Sequence, residues 1–313
     1  MTAPQPVFHL LNAFAPHPHA GNQAAVVVFP STAADDPRTN DEEYMKYLAR
    51  DFGFSETAYV VPTEEEGRFG LRWWTPEVEI NLCGHATLAT AFVLFSHNPK
   101  LDHLNLDTRW SGTLTAKRIS HQEVEIVLPS LAPSVLATFG HGSLDGEDKR
   151  RVAEVAEALG VSSDEILAVE EYGEDNNQSL IVELKGEVDL KNLQHIDHKA
   201  LLGLSKGLTI VTQINPESKD KTLYLNSRVF ASGLGIDEDP VTGSAHAYLT
   251  GYYLASPRSK SLSEPFRQNP ADVVIEAKQL SHRGGELRCT WDNGNVKLVG
   301  KAFEWARGML SVE

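Results

Sequence analysis

The sequence predicts an α+β protein built as two similar halves, and three observations lead there. At 313 residues the chain exceeds what one average core organises and divides most simply into two domains. Strand-like and helix-like stretches alternate in both halves, the pattern of sheets packed on helices. Finally, "CGHATLATAFVLF", residues 83–95, has a worn copy in "TGSAHAYLTGYYL", residues 242–254.

The elements follow from local chemistry. "VFHLLNAF" reads as a strand, "HPHAGNQ" as a turn and "AAVVVF" as a buried strand. "DEEYMKYLARDFG" gathers acids before its apolar positions and ends at Gly53, so it is a helix opened electrostatically and closed by a flexible residue. "TAYVVP" and "GRFGLRWWTP" are strands. Apolar residues at 88, 89, 91, 92, 94 and 95 make 86–95 a helix, and "SGTLTAKRIS" with "QEVEIVLPS" makes a hairpin pair. The pattern breaks over 129–148, which sets the domains at 1–130 and 131–313.

The second half reruns the programme. "RRVAEVAEALG" is a helix stopped by Gly160, "SLIVELKG" a strand, "HKALLGL" a short helix and "GLTIVTQI" a strand. "LYLNSRVFA" precedes an Asp-Pro segment and a helix over about 244–254. Asn293-Gly294 then turns a hairpin in "ELRCTWDNGNVKLVGKAF". Aligned, the two helix entrances share an order: an acid and a proline, a small or polar residue, Gly, a polar residue, Ala, then the helix. A duplicated half-domain explains it.

Composition narrows the function. Hydrophobic residues at 41% and charged residues at 23% fit a soluble globular protein. With 43 acidic and 28 basic residues the net charge is -15, which repels nucleic acid and anionic membrane surfaces. The first residues lack the pattern of a secretory or spanning segment, and Cys83 and Cys289 have no neighbouring thiol, so a cytoplasmic, reduced protein is expected. "NQS" at 177–179 is then a chance glycosylation match. Dinucleotide, phosphate-loop and G-x-S-x-G nucleophile motifs are absent, and "HPH" (17–19) and "HIDH" (195–198) lack a third ligand, so no metal and no cofactor are expected.

A glycine at a helix start lets a ligand approach first-turn N–H groups that have no intrahelical acceptor. Taken singly, Gly84 and Gly243 are turn glycines. As a pair they read as two anion-holding helix mouths, suited to a small carboxylic acid despite the negative net charge. His85, at the positive end of its helix dipole, is either a cap or a neutral imidazole fit for proton transfer. Glu56 lies in the largely apolar "DFGFSETAYVV". It either caps a local turn with Ser55 or is a desolvated carboxylate raised towards neutrality, as a general base requires. Asp239, held extended before Pro240, is placed to bind a substrate ammonium or hold a histidine, while Asp237 and Glu238 read as solvated.

Together "NAFAPHPHAGNQAAVV", "GFSETAYVV", "RWWTPEVEINLCGHATLATA", "SGTL" and "RVFASGLGIDEDPVTGSAHAYL" resemble the phenazine-biosynthesis isomerase, or PhzF-like, family, almost end to end. That resemblance implies the diaminopimelate epimerase fold: two pseudo-symmetric domains, each a curled, mostly antiparallel sheet around a central helix, with the active site between them. It also implies a homodimer. By similarity Glu56 is the acid/base, His85 and Asp239 orient or protonate the substrate, and the amides near Gly84, Gly243 and Ser244 hold its carboxylate.

The chain departs from the family's pattern at Gly21-Asn22-Gln23, where Gln23 replaces the usual proline. It also differs from two-cysteine racemases, because Thr242 stands where the second mouth would carry its thiol. A hydroxyl cannot replace a thiolate base, so Cys83 reads as a small buried group and Cys289 as structural. The expected activity is cofactor-independent isomerisation of a small, cyclic or amino, carboxylic acid. The alternatives are a one-cysteine racemase or epimerase and a binding protein that kept the fold.

Overall fold

The structure is a computed structural model and describes residues 5–30, 36–130, 137–139, 146–173 and 178–311. Asn177 of the glycosylation match, and much of the 129–148 boundary, lie outside the described residues. The chain forms two compact units, Met1–Leu128 with Lys297–Glu313, and Pro129–Val296.

The first unit contains β1 (Val7–Ala13), β2 (Asn22–Val28), α1 (Glu42–Phe52), β3 (Glu56–Pro62), β4 (Arg68–Trp74), β5 (Glu79–Ile80), α2 (Gly84–His97), β6 (His103–Thr108), β7 (Thr113–Arg118) and β8 (Glu123–Pro129). The second contains β9 (Ala137–Phe139), α3 (Gly146–Leu159), β10 (Ile166–Tyr172), β11 (Ser179–Leu184), α4 (His198–Leu204), β12 (Thr209–Ile214), β13 (Thr222–Phe230), α5 (Gly243–Ala255), β14 (Val274–Gln279) and β15 (Gly285–Asp292). The long β16 (Asn295–Met309) begins at the end of the second unit and continues into the first, where it pairs antiparallel with β1. Residues 297–313 therefore group with the first unit, which corrects their assignment to the second half.

Both units run one programme. In the first, β1·β2 is antiparallel, β2·β3 parallel across α1, β3·β4 antiparallel, β4·β6 parallel across α2, and β6·β7 antiparallel. In the second, β10·β11 is antiparallel, β11·β12 parallel across α4, β12·β13 antiparallel, β13·β14 parallel across α5, and β14·β15 antiparallel. A ββαββαββ repeat is thus carried by strand polarity, although the matching letters are few.

The helices divide by role. α1 starts where the Asp41 carboxylate accepts the Tyr44 N–H and stops where Gly53 takes φ +68°, a conformation that glycine adopts without strain. It buries only one stripe: Met45 and Ala49 pack with Val27, Phe29, Tyr59 and Trp74. α2 is different. From Gly84 to Ala91 every residue is buried, as are Val93, Leu94 and Phe95, so the sheet wraps a helix apolar on all faces. α5 is enclosed in the same way, with Tyr252 and Tyr253 fully buried.

Candidate active site

Three element starts converge in the first unit. β2 begins at Asn22, β3 at Glu56 and α2 at Gly84, with Cys83 as its extended N-cap (φ -139°, ψ 113°). Gly21 makes the first possible: at φ +78° a Cβ would collide with the Ala13 carbonyl oxygen, so the turn that delivers Asn22 takes glycine. Thr87 Oγ1 donates to the Cys83 carbonyl at 2.5 Å and locks the first helical turn.

His85 stands at the centre of this cluster. Its Nε2 is 3.3 Å from Glu56 Oε2, and its Nδ1 is 3.3 Å from Asn22 Nδ2 and 3.5 Å from Cys83 Sγ. With the Asn22 amide donating to Nδ1, the ring proton belongs on Nε2, the nitrogen nearer the Glu56 carboxylate. The Glu56 side chain is 16% exposed. Burial pushes its carboxyl up from the ordinary carboxylate value, and the Ser55 hydrogen bond offsets this only in part. Both features that the sequence raised for Glu56 are present: its carboxyl is desolvated, and Ser55 bonds it.

The second unit builds a corresponding mouth at α5. Thr242 is its extended N-cap (φ -112°, ψ 100°), and His246 Nδ1 donates to the Thr242 carbonyl at 2.8 Å, as Thr87 does to Cys83. Burial pushes the His246 imidazole down to about 4, so it is neutral and Nε2 accepts from Ser227 Oγ at 3.1 Å. Gly243 is buried and Ser244 half-buried in the first turn.

Asp239, nearly buried, accepts the Thr242 hydroxyl on its carboxylate, and its own N–H donates to the Val229 carbonyl at 2.9 Å. Gln279 ties the loop from below: its Nε2 donates to the Asp239 carbonyl at 2.6 Å and its Oε1 accepts the Thr242 N–H at 2.9 Å. Gln279 is 1% exposed. Gln279→Leu is therefore expected to orphan two buried backbone groups at about 1–3 kcal/mol each, read as a lower thermal midpoint.

Thus Glu56, Gly84 and His85 come together in one unit, and Asp239, Gly243 and Ser244 in the other. Asn22, His246 and Gln279 join them as contacts that the sequence motifs did not assign, while Cys83 and Thr242 are the N-caps of the two mouths. Glu238 needs correction: Arg228 holds it bidentately at 2.7 and 3.0 Å, whereas Asp237 is exposed as expected. Neither "HPH" nor "HIDH" forms a metal-ligand cluster among the described residues. Among those residues no helix is long and apolar enough to cross a membrane.

The repeated sheet-around-helix plan and the two glycine-led helix mouths define an epimerase-like α+β protein. A solved hydroxyproline epimerase from Agrobacterium vitis shares this fold at TM-score 0.53 and 9% identity, covering 98% of this chain and 91% of its own. A solved PhzF-family protein from Enterococcus faecalis is closer: TM-score 0.74, 30% identity, with 99% and 100% of the two chains covered. Residues 11–308 match the family described as phenazine biosynthesis-like protein, and the chain belongs to that family. An uncharacterized isomerase of Pseudomonas aeruginosa is 34% identical over 306 residues, covering 97% of each chain.

Proposed function

We propose that this protein is a cofactor-independent isomerase that moves a proton, and with it a double bond, within a small carboxylic acid. The observation that carries the reading is Glu56, a carboxylate shielded from water, held above its ordinary pKa and 3.3 Å from a histidine nitrogen. A base of this kind takes a proton from an activated carbon and returns it elsewhere, because its pKa lies nearer the working pH than that of an exposed glutamate. His85, donating through Nε2, orients Glu56 and assists the return. The first-turn amides near Gly84 in one unit, and near Gly243 and Ser244 in the other, are donors suited to a carboxylate, and Asp239 is an acceptor suited to an ammonium. The relative named as an isomerase and the family membership support the same class of reaction.

The test is deuterium incorporation, followed by NMR, into a panel of small cyclic and unsaturated amino acids incubated with the protein in D₂O. Incorporation by the wild type that persists undiminished in Glu56→Gln removes Glu56 from the role. A second reading is favoured by one contact, Cys83 Sγ at 3.5 Å from His85 Nδ1. A histidine can accept a thiol proton, so an epimerase using Cys83 as its base is chemically possible. Cys83→Ser abolishes that activity and spares isomerisation by Glu56.

A further inference from the structure

Cys83, His85 and Glu56 each present a ligand atom at the α2 mouth, and these atoms lie within 4.8 Å of one another. We propose that this cluster binds a single soft divalent cation of the Zn²⁺ type, which inhibits the enzyme by occupying its base. For ligands at ordinary zinc–sulfur and zinc–nitrogen distances of about 2.3 and 2.0 Å, tetrahedral geometry sets sulfur and nitrogen about 3.5 Å apart. Cys83 Sγ and His85 Nδ1 are already at 3.5 Å, so one edge of the tetrahedron is preformed.

The donor set fits the ion. Thiolate and imidazole select Zn²⁺ and its soft relatives over Mg²⁺ or Ca²⁺. Glu56 lies beside the other ring nitrogen, 3.3 Å from Nε2, with its ligand oxygen within 4.8 Å of the other two ligand atoms. Binding requires its side chain to rotate towards Nδ1, where with the thiolate it neutralises both charges of the cation. The α2 dipole opposes a cation, yet it also favours the Cys83 thiolate, the form that binds. Asn22 stands at the same imidazole nitrogen, at 3.3 Å, and turns its amide oxygen towards the ion when the lone pair of Nδ1 is taken. Because the ion takes the Glu56 carboxylate, it competes with substrate for the base.

Binding is measured on the reduced full-length chain without reference to turnover. Zn²⁺ is titrated against a chromophoric chelator, and Co²⁺ is added separately to look for a sulfur-to-cobalt charge-transfer band. The expected result is one ion per chain and a thiolate band. Both are retained in Cys289→Ala, and affinity falls by more than about 10–100-fold in Cys83→Ser, since loss of a ligand costs more than loss of an outer partner. His85→Asn gives the same loss should Cys83→Ser fold poorly. No retained ion in the wild type, or a band that survives Cys83→Ser or disappears in Cys289→Ala, overturns the proposal. The inhibitory half rests on the reading of Glu56 as the base: deuterium incorporation unaffected by a saturating ion refutes that half. Ion binding with no deuterium incorporation into the panel by the chelator-stripped protein counts against the isomerase assignment instead.

Discussion

Glu56→Gln is expected to slow proton transfer by roughly 10²–10⁴ and at the same time to raise the stability of the fold at neutral pH. The first effect follows from removing the group that the isomerase reading assigns to carry the proton away. The second follows from the cost of keeping that group charged. Burial raises the Glu56 carboxyl above its unfolded value. Between those two values the native state holds more proton than the unfolded chain, so stability falls as pH rises through the window. Glutamine has no charge to desolvate and keeps nearly the same shape. The variant's thermal midpoint therefore exceeds the wild type's near neutrality, and the two converge once pH drops below the ordinary carboxylate range. A variant that loses activity and stability together would show Glu56 to be a structural residue.

Which parts of this site could be read from the sequence depended on whether their signal was local. The ends of α1 were legible because an N-cap aspartate and a C-cap glycine act within one turn. The α2 and α5 mouths were legible as paired motifs, and Asp239, Gly243 and Ser244 lie where the motif puts them. Gln279 was not, because a glutamine at a strand end has no pattern, and its two bonds reach back to Asp239 and Thr242 through tertiary folding. The same reason misled the assignment of 297–313. Its hairpin turn at Asn293-Gly294 is a local signal pointing to the second half, whereas its partner β1 lies at the other end of the chain. Strand β14, "VIEAKQ", went unread because its buried face carries only Ile275 and Ala277 before polar Gln279, while apolar Val274 stands on the outer face, so the alternation is short and blurred.

Arg258→Met is expected to destabilise the protein by about 3–5 kcal/mol at pH 8, and by less at pH 5. Arg258 donates to both oxygens of Glu183 at 2.6 Å, and Tyr252 adds a third donor at 2.8 Å to a carboxylate 1% exposed. Without Arg258 that charge is buried unpaired, unless the pH is low enough to protonate it. A second carboxylate, Glu170, is buried close by at 4% exposure, and burial with Glu183's charge pushes it up to about 7. The guanidinium bonds Glu183, so Glu170 faces a neighbouring negative charge and keeps its proton until about pH 7. Its raised value contributes stability at low pH that is lost as pH climbs from about 4.5 through 7, a difference of about 3 kcal/mol. Glu170→Gln should recover that loss, so its denaturation midpoint lies above the wild type's at pH 8 and meets it near pH 4. Equal midpoints at pH 8 would mean that Glu170 finds water or a donor when it ionises, and that the buried pair does not set the alkaline limit of the second unit.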